Sequence, residues 1–386
     1  MNKEVVFDLL SAQPDGNTKF HGGGEYIKTV FQALASGYQG DYTLTVCYDK
    51  DRFIDQWIFE LIDEKNIQKY DAKTAADVVA CVCSRAETVS VRFFAGMIYP
   101  YGPFSFPENV TCIGTCHGLR MLEKLYDKNA PQYISSKSEV KDWIKYTVFK
   151  KRYWNCAWNM YFNAMKNFDV LVTVSEHSAY SLRVNFPEFA AKKQIHVLYT
   201  PDKYVEPVNK DTSSDCEPYI LMISANRWLK NSYRGVMALD GLYQKGFLKG
   251  VKTKVLGNLP ERIQKKVHCK DSFEFLGYVS SDDLEKAYRE CEIFFYPTLN
   301  EGFGLPPMEA MKYGKTCVIS NVCSLPEVYG DSVYYCNPYD IMEMQGRVLR
   351  AMDNKIEPRH CSERIQIVHK RQNQDLLKLC KLIVGE

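Results

Sequence analysis

The chain of 386 residues carries a formal net charge of +2, with 46% hydrophobic and 25% charged residues. That length allows two domains of ordinary size, the composition is globular, and the near-neutral balance gives no electrostatic case for nucleic acid. Neither a signal peptide nor an apolar run of about 18 residues is read in it, so a cytoplasmic protein without a membrane span is expected.

Short β-branched and aromatic runs alternate with helical patterns along the chain. "EVVFDLL" reads as a strand. "KFHGGGEYIKTVFQAL" follows it, a glycine cluster entering an amphipathic helix with Tyr26, Val30, Phe31 and Leu34 facing inward. Gly22, Gly23 and Gly24 have two readings: a tight turn and nothing more, or a helix start that lets backbone approach a phosphate or sugar closely. The cluster is not Gly-x-Gly-x-x-Gly and lacks the Lys-Ser/Thr of a P-loop. Its likeness to an esterase oxyanion segment fails because no Gly-x-Ser-x-Gly occurs. The strands "YTLTVCY" and "VTCIGTC" come next, and the second delivers His117 to a strand's carboxyl end, where a histidine is either structural or functional.

Residues 141–168 are expected to form one helix. At about 100° per residue, Lys141, Lys145, Arg152, Asn155, Asn159, Asn163 and Lys166 share one face, with Trp143, Trp154, Trp158, Tyr161 and Met165 opposite. Such a helix either packs its aromatic face on its own domain or lies in an anionic membrane surface, the protein then being peripheral on the inner face of the cytoplasmic membrane. "VLVTVS" and "IHVLY" complete the strands of the first half, and 203–218, polar and proline-bearing, reads as a linker.

The strand-helix pattern restarts at Tyr219 with "YILMIS", "TKVLG", "FEFLG", "IFFYPT", "KTCVIS" and "SVYYC". The alternation argues for an α/β protein with parallel sheets, two doubly wound domains in series, binding ligands at the carboxyl ends of strands in a shared interdomain cleft. The expected boundaries are residues 1–202, 219–361, and a C-terminal helix over 362–386 packing back toward the first domain. After "YILMIS", Arg227 and Lys230 either neutralise a diphosphate at the switch point or belong to a solvated basic loop. In "FLGYVSSDDLEKAYREC" a turn leads into a helix capped by Ser280 or Ser281. The 14 cysteines include no Cys-x-x-Cys and read as reduced core residues, so no metal set is expected.

The most informative stretch is "NEGFGLPPMEAMKYG", Asn300 to Gly314. Glu301 precedes flexible glycines, Pro306 and Pro307 suit the first turn of a helix, Glu309 lies about one turn inside, and Gly314 stops it. Two carboxylates flanking free backbone N–H groups suit a ligand with a phosphate in the middle and hydroxyl-rich ends. A nucleotide diphosphate sugar is such a ligand.

These pieces, in this order, resemble the retaining family 4 glycosyltransferases of the GT-B fold (glycosyl transferases group 1). The likeness is strongest from "FLGYVSS" to "DSVYY" and weaker at "HGGGEYI", "TCHGL", "VLVTVSEHS" and "NRWLKN". The resemblance implies two Rossmann-like domains and transfer of a hexose-type sugar, with retention, from a nucleotide diphosphate sugar to a glycan or lipid-linked acceptor, as in surface polysaccharide or glycoconjugate synthesis. It implies that Glu301 contacts the donor sugar and that the backbone of Gly302, Phe303, Gly304 and Leu305 approaches the sugar and diphosphate. Glu309 would hold the ribose, Arg227 and Lys230 the diphosphate, and Tyr278 and Val279 the base. His117 would lie beside the transferred sugar, and Gly22 to Gly24 would form a closing loop. Two departures stand out: only two residues separate Arg227 from Lys230, where many members have four, and "YTPDKY" replaces the usual Asn-Gly after the interdomain strand. No Asp-x-Asp is read anywhere in the chain, so neither metal nor other cofactor is expected. The alternatives are a GT-B sugar phosphorylase or epimerase, or a non-catalytic subunit that binds sugar nucleotides.

Overall fold

The computed structural model describes residues 3–14, 22–134, 137–202 and 217–386. His21 of the glycine cluster and all but the last two residues of the expected linker lie outside them. Two compact units emerge: Met1–Leu119 with Asn155–Lys203 and His369–Glu386, and Arg120–Trp154 with Tyr204–Val368.

The first unit is built on β1 (Glu4–Asp8), β2 (Thr43–Tyr48), β3 (Gln68–Asp71), β4 (Val91–Ala95), β5 (Val110–Cys116), β6 (Val170–Thr173) and β7 (Gln194–Val197). They pair in parallel in the order β3-β2-β1-β4-β5-β6-β7. The second unit holds β8 (Tyr219–Met222), β9 (Lys252–Leu256), β10 (Phe273–Leu276), β11 (Ile293–Tyr296), β12 (Thr316–Ser320) and β13 (Tyr334–Cys336), ordered β10-β9-β8-β11-β12-β13. Every residue of β1, β8, β11 and β12 is buried, as parallel strands covered on both faces require. Strand order reverses beside β1 in one sheet and beside β8 in the other. Carboxyl-end crevices form at such reversals.

Two strands were not anticipated. β3, "QKYD", is an edge strand with mostly exposed side chains and so lacks an apolar signature. β4, "VRFFA", is short but central, with Phe93 and Phe94 fully buried.

The units do not follow the expected division by chain order, because Arg120–Trp154 packs with the second. Asp127 is the reason. Arg234 donates Nη1 to its Oδ1 at 3.0 Å and Nη2 to its Oδ2 at 3.1 Å, both side chains buried. Tyr233 N–H donates to the Tyr133 hydroxyl at 2.6 Å, and Arg262 Nη1 to the Pro131 carbonyl at 2.9 Å. At the other end of the chain, the helix Pro358–Val384 gives its residues from His369 onward to the first unit. There Asp375 Oδ2 accepts from Tyr199 N–H at 3.1 Å, Gln372 Nε2 donates to Thr200 O at 2.6 Å, and Arg92 donates to the Ile383 and Leu382 carbonyls.

The single helix expected over 141–168 is instead two, Lys137–Val148 and Lys150–Lys166, interrupted at Phe149. Ala157, Tyr161, Ala164 and Met165 are buried in the first unit. Trp158 donates Nε1 to Asn185 O at 3.0 Å and stacks on Phe162 and Phe186, so the later part of the aromatic stripe packs on its own domain. Val140, Ile144, Val148, Phe149 and Trp154 stay exposed. Among the described residues no helix is long and apolar enough to cross a membrane.

Removing one partner of a buried ion pair strands the other charge. Asp127→Ala is therefore expected to lower stability in a urea titration by about 3–5 kcal/mol, and the double change Asp127→Leu with Arg234→Met by much less. Burial raises the Asp127 pKa, but Arg234, the Asn129 N–H and Lys124 together outweigh it and hold it below the ordinary value. The pair's contribution should therefore be complete above about pH 4 and fade as pH falls through the lower folded value, a dependence the double variant should lack.

Candidate functional site

The second unit gathers most of the expected site at the switch between β8 and β11. Beyond β8 the backbone turns through Ser224 (φ 55°) and enters a short 3-10 turn, Trp228–Lys230, that ends at Asn231 (φ 60°). Asn231 is buried and donates Nδ2 to the Pro297 and Pro338 carbonyls at 2.8 and 2.7 Å. Leu229 O accepts from Leu299 N–H at 2.7 Å and from Thr298 Oγ1 at 3.1 Å. These bonds stitch the loop after β8 to the loop after β11.

Lys230 and Glu301 meet there. Lys230 Nζ donates to Glu301 Oε1 at 2.6 Å and to the Tyr296 hydroxyl at 2.5 Å. The same Oε1 accepts from Tyr296 at 2.6 Å and Thr298 at 2.9 Å. Burial alone would raise the Glu301 pKa; Lys230 and the two hydroxyls outweigh it, and the carboxyl lies below its ordinary value. For Lys230, burial is the largest effect and lowers its pKa, Glu301 resists, and Arg227 and Arg120 add to the lowering. Lys230 was expected to face a diphosphate directly; here its ammonium is engaged by Glu301. The Arg227 side chain makes no hydrogen bond or ion pair with any described residue, which leaves its guanidinium for a ligand.

From Glu301 the loop runs over a fixed floor. Ser324 Oγ donates to the Glu301 and Phe303 carbonyls at 3.3 and 2.9 Å, and the Tyr329 hydroxyl donates to Gly304 O. Gly304 has φ 89°, and a Cβ there would lie 2.5 Å from Leu325 Cδ2, so glycine is required on both counts. Leu305 caps the helix Pro306–Met311 with both prolines in its first turn, and Gly314 (φ 66°) follows. Glu309 is half-buried and accepts from Lys312 Nζ at 3.0 Å. Gly302 is half-buried and Phe303 buried. The Tyr278 hydroxyl accepts from Asn226 Nδ2 at 2.9 Å, and Tyr278 and Val279 are both exposed beside Ser280, the observed cap of the next helix.

Two expected components lie in the first unit. His117 follows β5 half-buried, its Nε2 2.8 Å from Gly96 O and its ring edge-on to Tyr26 at 4.8 Å. A bond to a carbonyl requires Nε2–H, so in neutral His117 Nδ1 is the acceptor nitrogen. Gly22, Gly23 and Gly24 do not form a loop: they are the first turn of the helix Gly22–Ser36, and Tyr26, Val30, Phe31 and Leu34 are buried along it as expected. The chain also contains one Asp-x-Asp, Asp49–Lys50–Asp51, which the sequence reading passed over. It follows β2 in the first unit, and Lys73 Nζ binds both carboxylates, that of Asp49 at 2.5 Å. Tyr296, Thr298, Asn231 and Ser324 were also missed. Tyr296 and Thr298 stand within five residues of Glu301, so their polar tips at a strand end were a usable signal.

Residues 209–367 match the family model described as glycosyl transferases group 1. The chain is 35% identical over 103 residues to the serotype-specific mannosyltransferase WbdA of Escherichia coli, a match covering 25% of this chain and 13% of that protein. It is 42% identical over 80 residues to O-antigen chain mannosyltransferase B of Escherichia coli, 21% of each chain. The chain thus aligns with only a small part of these relatives' length. Among solved structures, sucrose-phosphate synthase from Thermosynechococcus elongatus superposes with a TM-score of 0.66 at 14% identity, over 99% of this chain and 98% of that one. Anabaena Alr3699/HepE in complex with UDP-glucose does so with 0.62 at 15%, over 99% and 98%. WaaG, a glycosyltransferase involved in lipopolysaccharide biosynthesis, gives 0.60 at 11%, over the whole of both chains. The fold is GT-B.

Glu301→Gln would leave Lys230 buried without its counter-charge. It should depress the melting midpoint clearly more than Glu309→Gln, whose carboxylate is half-exposed and bound to a lysine of the same turn. Equal midpoints would show that the Lys230–Glu301 pair is not a structural determinant of the loop.

Proposed function

We propose that the protein is a retaining glycosyltransferase of family 4 that moves a hexose, mannose being the first to test, from a nucleotide diphosphate sugar to a glycan or lipid-linked acceptor. The observation that carries this reading is the Lys230–Glu301 pair, held at the β8/β11 switch point of a group 1 domain with Arg227 left over beside it. Glu301 keeps one oxygen, Oε1, occupied by its three supports, and its carboxylate charge orients hydroxyls of the donor sugar. Arg227 meets the diphosphate, Glu309 the ribose, and Tyr278 with Val279 the base. His117 and Gly22 to Gly24 act on the sugar side. The departing phosphate accepts the acceptor's proton, so no carboxylate nucleophile and no metal are needed. The mannosyltransferase names of the sequence relatives support mannose, and their association with O-antigen chains supports a surface polysaccharide.

A thermal-shift comparison of GDP-, UDP-, ADP- and dTDP-sugars should select one nucleotide, by mass action on the folded state. Glu309→Gln is then expected to weaken nucleoside diphosphate and sugar nucleotide alike, and Glu301→Ala to lower turnover while sparing the nucleoside diphosphate. Turnover should persist in excess EDTA. Sugar released to inorganic phosphate, or no turnover with any donor and acceptor, would favour the phosphorylase or the silent subunit respectively.

The acceptor side carries a second expectation. Val148 and Phe149 are 68% and 53% exposed, with Ile144 and Trp154 exposed beside Lys141, Lys150, Lys151 and Arg152. Apolar side chains interleaved with cations suit an anionic bilayer, each basic residue contributing about 1 kcal/mol near the surface. The protein should sediment with vesicles containing phosphatidylglycerol, be released by salt, and remain soluble with neutral vesicles. Phe149→Glu should abolish sedimentation with the fold intact. Trp158→Ala, by contrast, should destabilise the first unit, because Trp158 packs there. Binding that ignores lipid charge would refute the membrane reading.

A further inference from the structure

The second unit contains a cavity of about 450 Å³ that the donor-site assignment does not use. It lies between residues 120–143 and the loop after β8. Arg120, Lys124 and Arg227 supply three cations to its lining, Tyr133, Trp143 and Trp228 supply aromatic surface, and among the described residues no aspartate or glutamate lines it. Arg227 is the one donor-site residue in its wall; Glu301, Gly302 to Leu305, Glu309, Tyr278 and Val279 are not part of it.

The Arg120 side chain, like that of Arg227, makes no hydrogen bond or ion pair with any described residue. Lys124 stands 3.6 Å from Asp127 Oδ2, but that carboxylate is already held through both oxygens by Arg234. The indole Nε1–H of Trp143 is buried and has no acceptor among the described residues. A buried donor without an acceptor is uncommon in folded proteins and calls for a partner. Three cations with an unsatisfied N–H, walled by aromatic rings, suit an anion carried on a sugar ring or an apolar chain. The cavity is also tied to the catalytic loop: Asn300, next to Glu301, donates Nδ2 to Glu123 Oε2 at 2.6 Å, within the segment that carries Arg120 and Lys124.

We propose that this cavity is an acceptor subsite that recognises a phosphoryl group, with Arg120 and Lys124 as its anion-binding residues and Trp143 as donor and platform. The assignment rests on the glycosyltransferase reading for the word acceptor; the anion site itself does not. Its place beside Arg227 puts a phosphoryl-bearing acceptor next to the donor diphosphate, and the shared cation screens the two anions from each other.

The test is calorimetric titration of the full chain, saturated with the nucleoside diphosphate selected by thermal shift, with two phosphoryl probes. Hexose 6-phosphate represents a soluble acceptor and hexyl phosphate a lipid-borne one; hexyl glucoside is the uncharged control. Binding of either phosphate, weakened about ten-fold or more by Arg120→Ala and by Lys124→Ala, upholds the subsite, and the probe that binds identifies the source. Arg120→Lys should recover part of the loss, and Trp143→Phe, which keeps the ring and removes the N–H, should retain weaker binding. Binding of neither phosphate overturns the proposal, as does equal binding of hexyl glucoside, displacement of the probe by nucleotide, or indifference to both variants. Should no nucleoside diphosphate bind at all, the glycosyltransferase reading fails, and the same titration without nucleotide still decides the anion site.

Discussion

The second unit is organised around one buried carboxylate. Glu301 sits at the carboxyl end of the central strand β11, where a lone charge would be costly, and a single oxygen of it accepts from Lys230, Tyr296 and Thr298. That demand explains the neighbouring backbone. The left-handed Asn231 and its bonds to Pro297 and Pro338 exist in a geometry that turns Lys230 inward, and the Leu229 carbonyl ties the two loops together. Once Glu301 is fixed, the chain must leave it by a route that does not bury further unpaired groups. Gly304 at φ 89°, over Leu325 and under the Tyr329 hydroxyl, is that route. The site is therefore rigid where charge is concentrated and open at Arg227, Tyr278 and Val279.

Buried ion pairs give little net stability relative to apolar packing, since desolvation offsets the attraction. Two in this unit, Lys230–Glu301 and Asp127–Arg234, are better understood as devices of placement. One aims a carboxylate. The other seats a segment that follows β5 of the first sheet onto the second unit, so that Arg120 and Lys124 stand beside the loop of Arg227.

How much of this the sequence disclosed depends on whether a feature is local. The loop from Glu301 to Leu305 was legible because each of its requirements falls on adjacent residues: glycine where φ is positive, proline where a helix begins, acids on either side. The central strands were legible from unbroken apolar runs. β3 was not, since an edge strand that exposes Gln68, Lys69 and Asp71 has no apolar pattern to read. The allegiance of residues 120–154 was not legible either, because it rests on Asp127 meeting Arg234 across 107 positions of sequence. The break at Phe149 is a related failure: a continuous 3.6-residue pattern cannot reveal that a helix changes direction when both halves keep helical propensity. Lys230 was read as a cation for a diphosphate, whereas its ammonium bonds to Glu301, because spacing names a cation and only packing says which anion it faces.

That last point separates two kinds of cation in the unit. Lys230 is desolvated and committed, with its ammonium bonded to a carboxylate and a phenol. Arg227 and Arg120 are uncommitted, and each lowers the proton affinity of Lys230 after burial has done so. Like charges held together without a bound anion oppose folding, so their persistence in one region is a cost that an anionic ligand would relieve. On the proposed reading a nucleotide and a phosphoryl acceptor share the Arg227 guanidinium, and each would lower the cost of holding the cations beside Lys230. Arg120 and Lys124 supply further positive charge for the second anion, so the two need not depend on Arg227 alone.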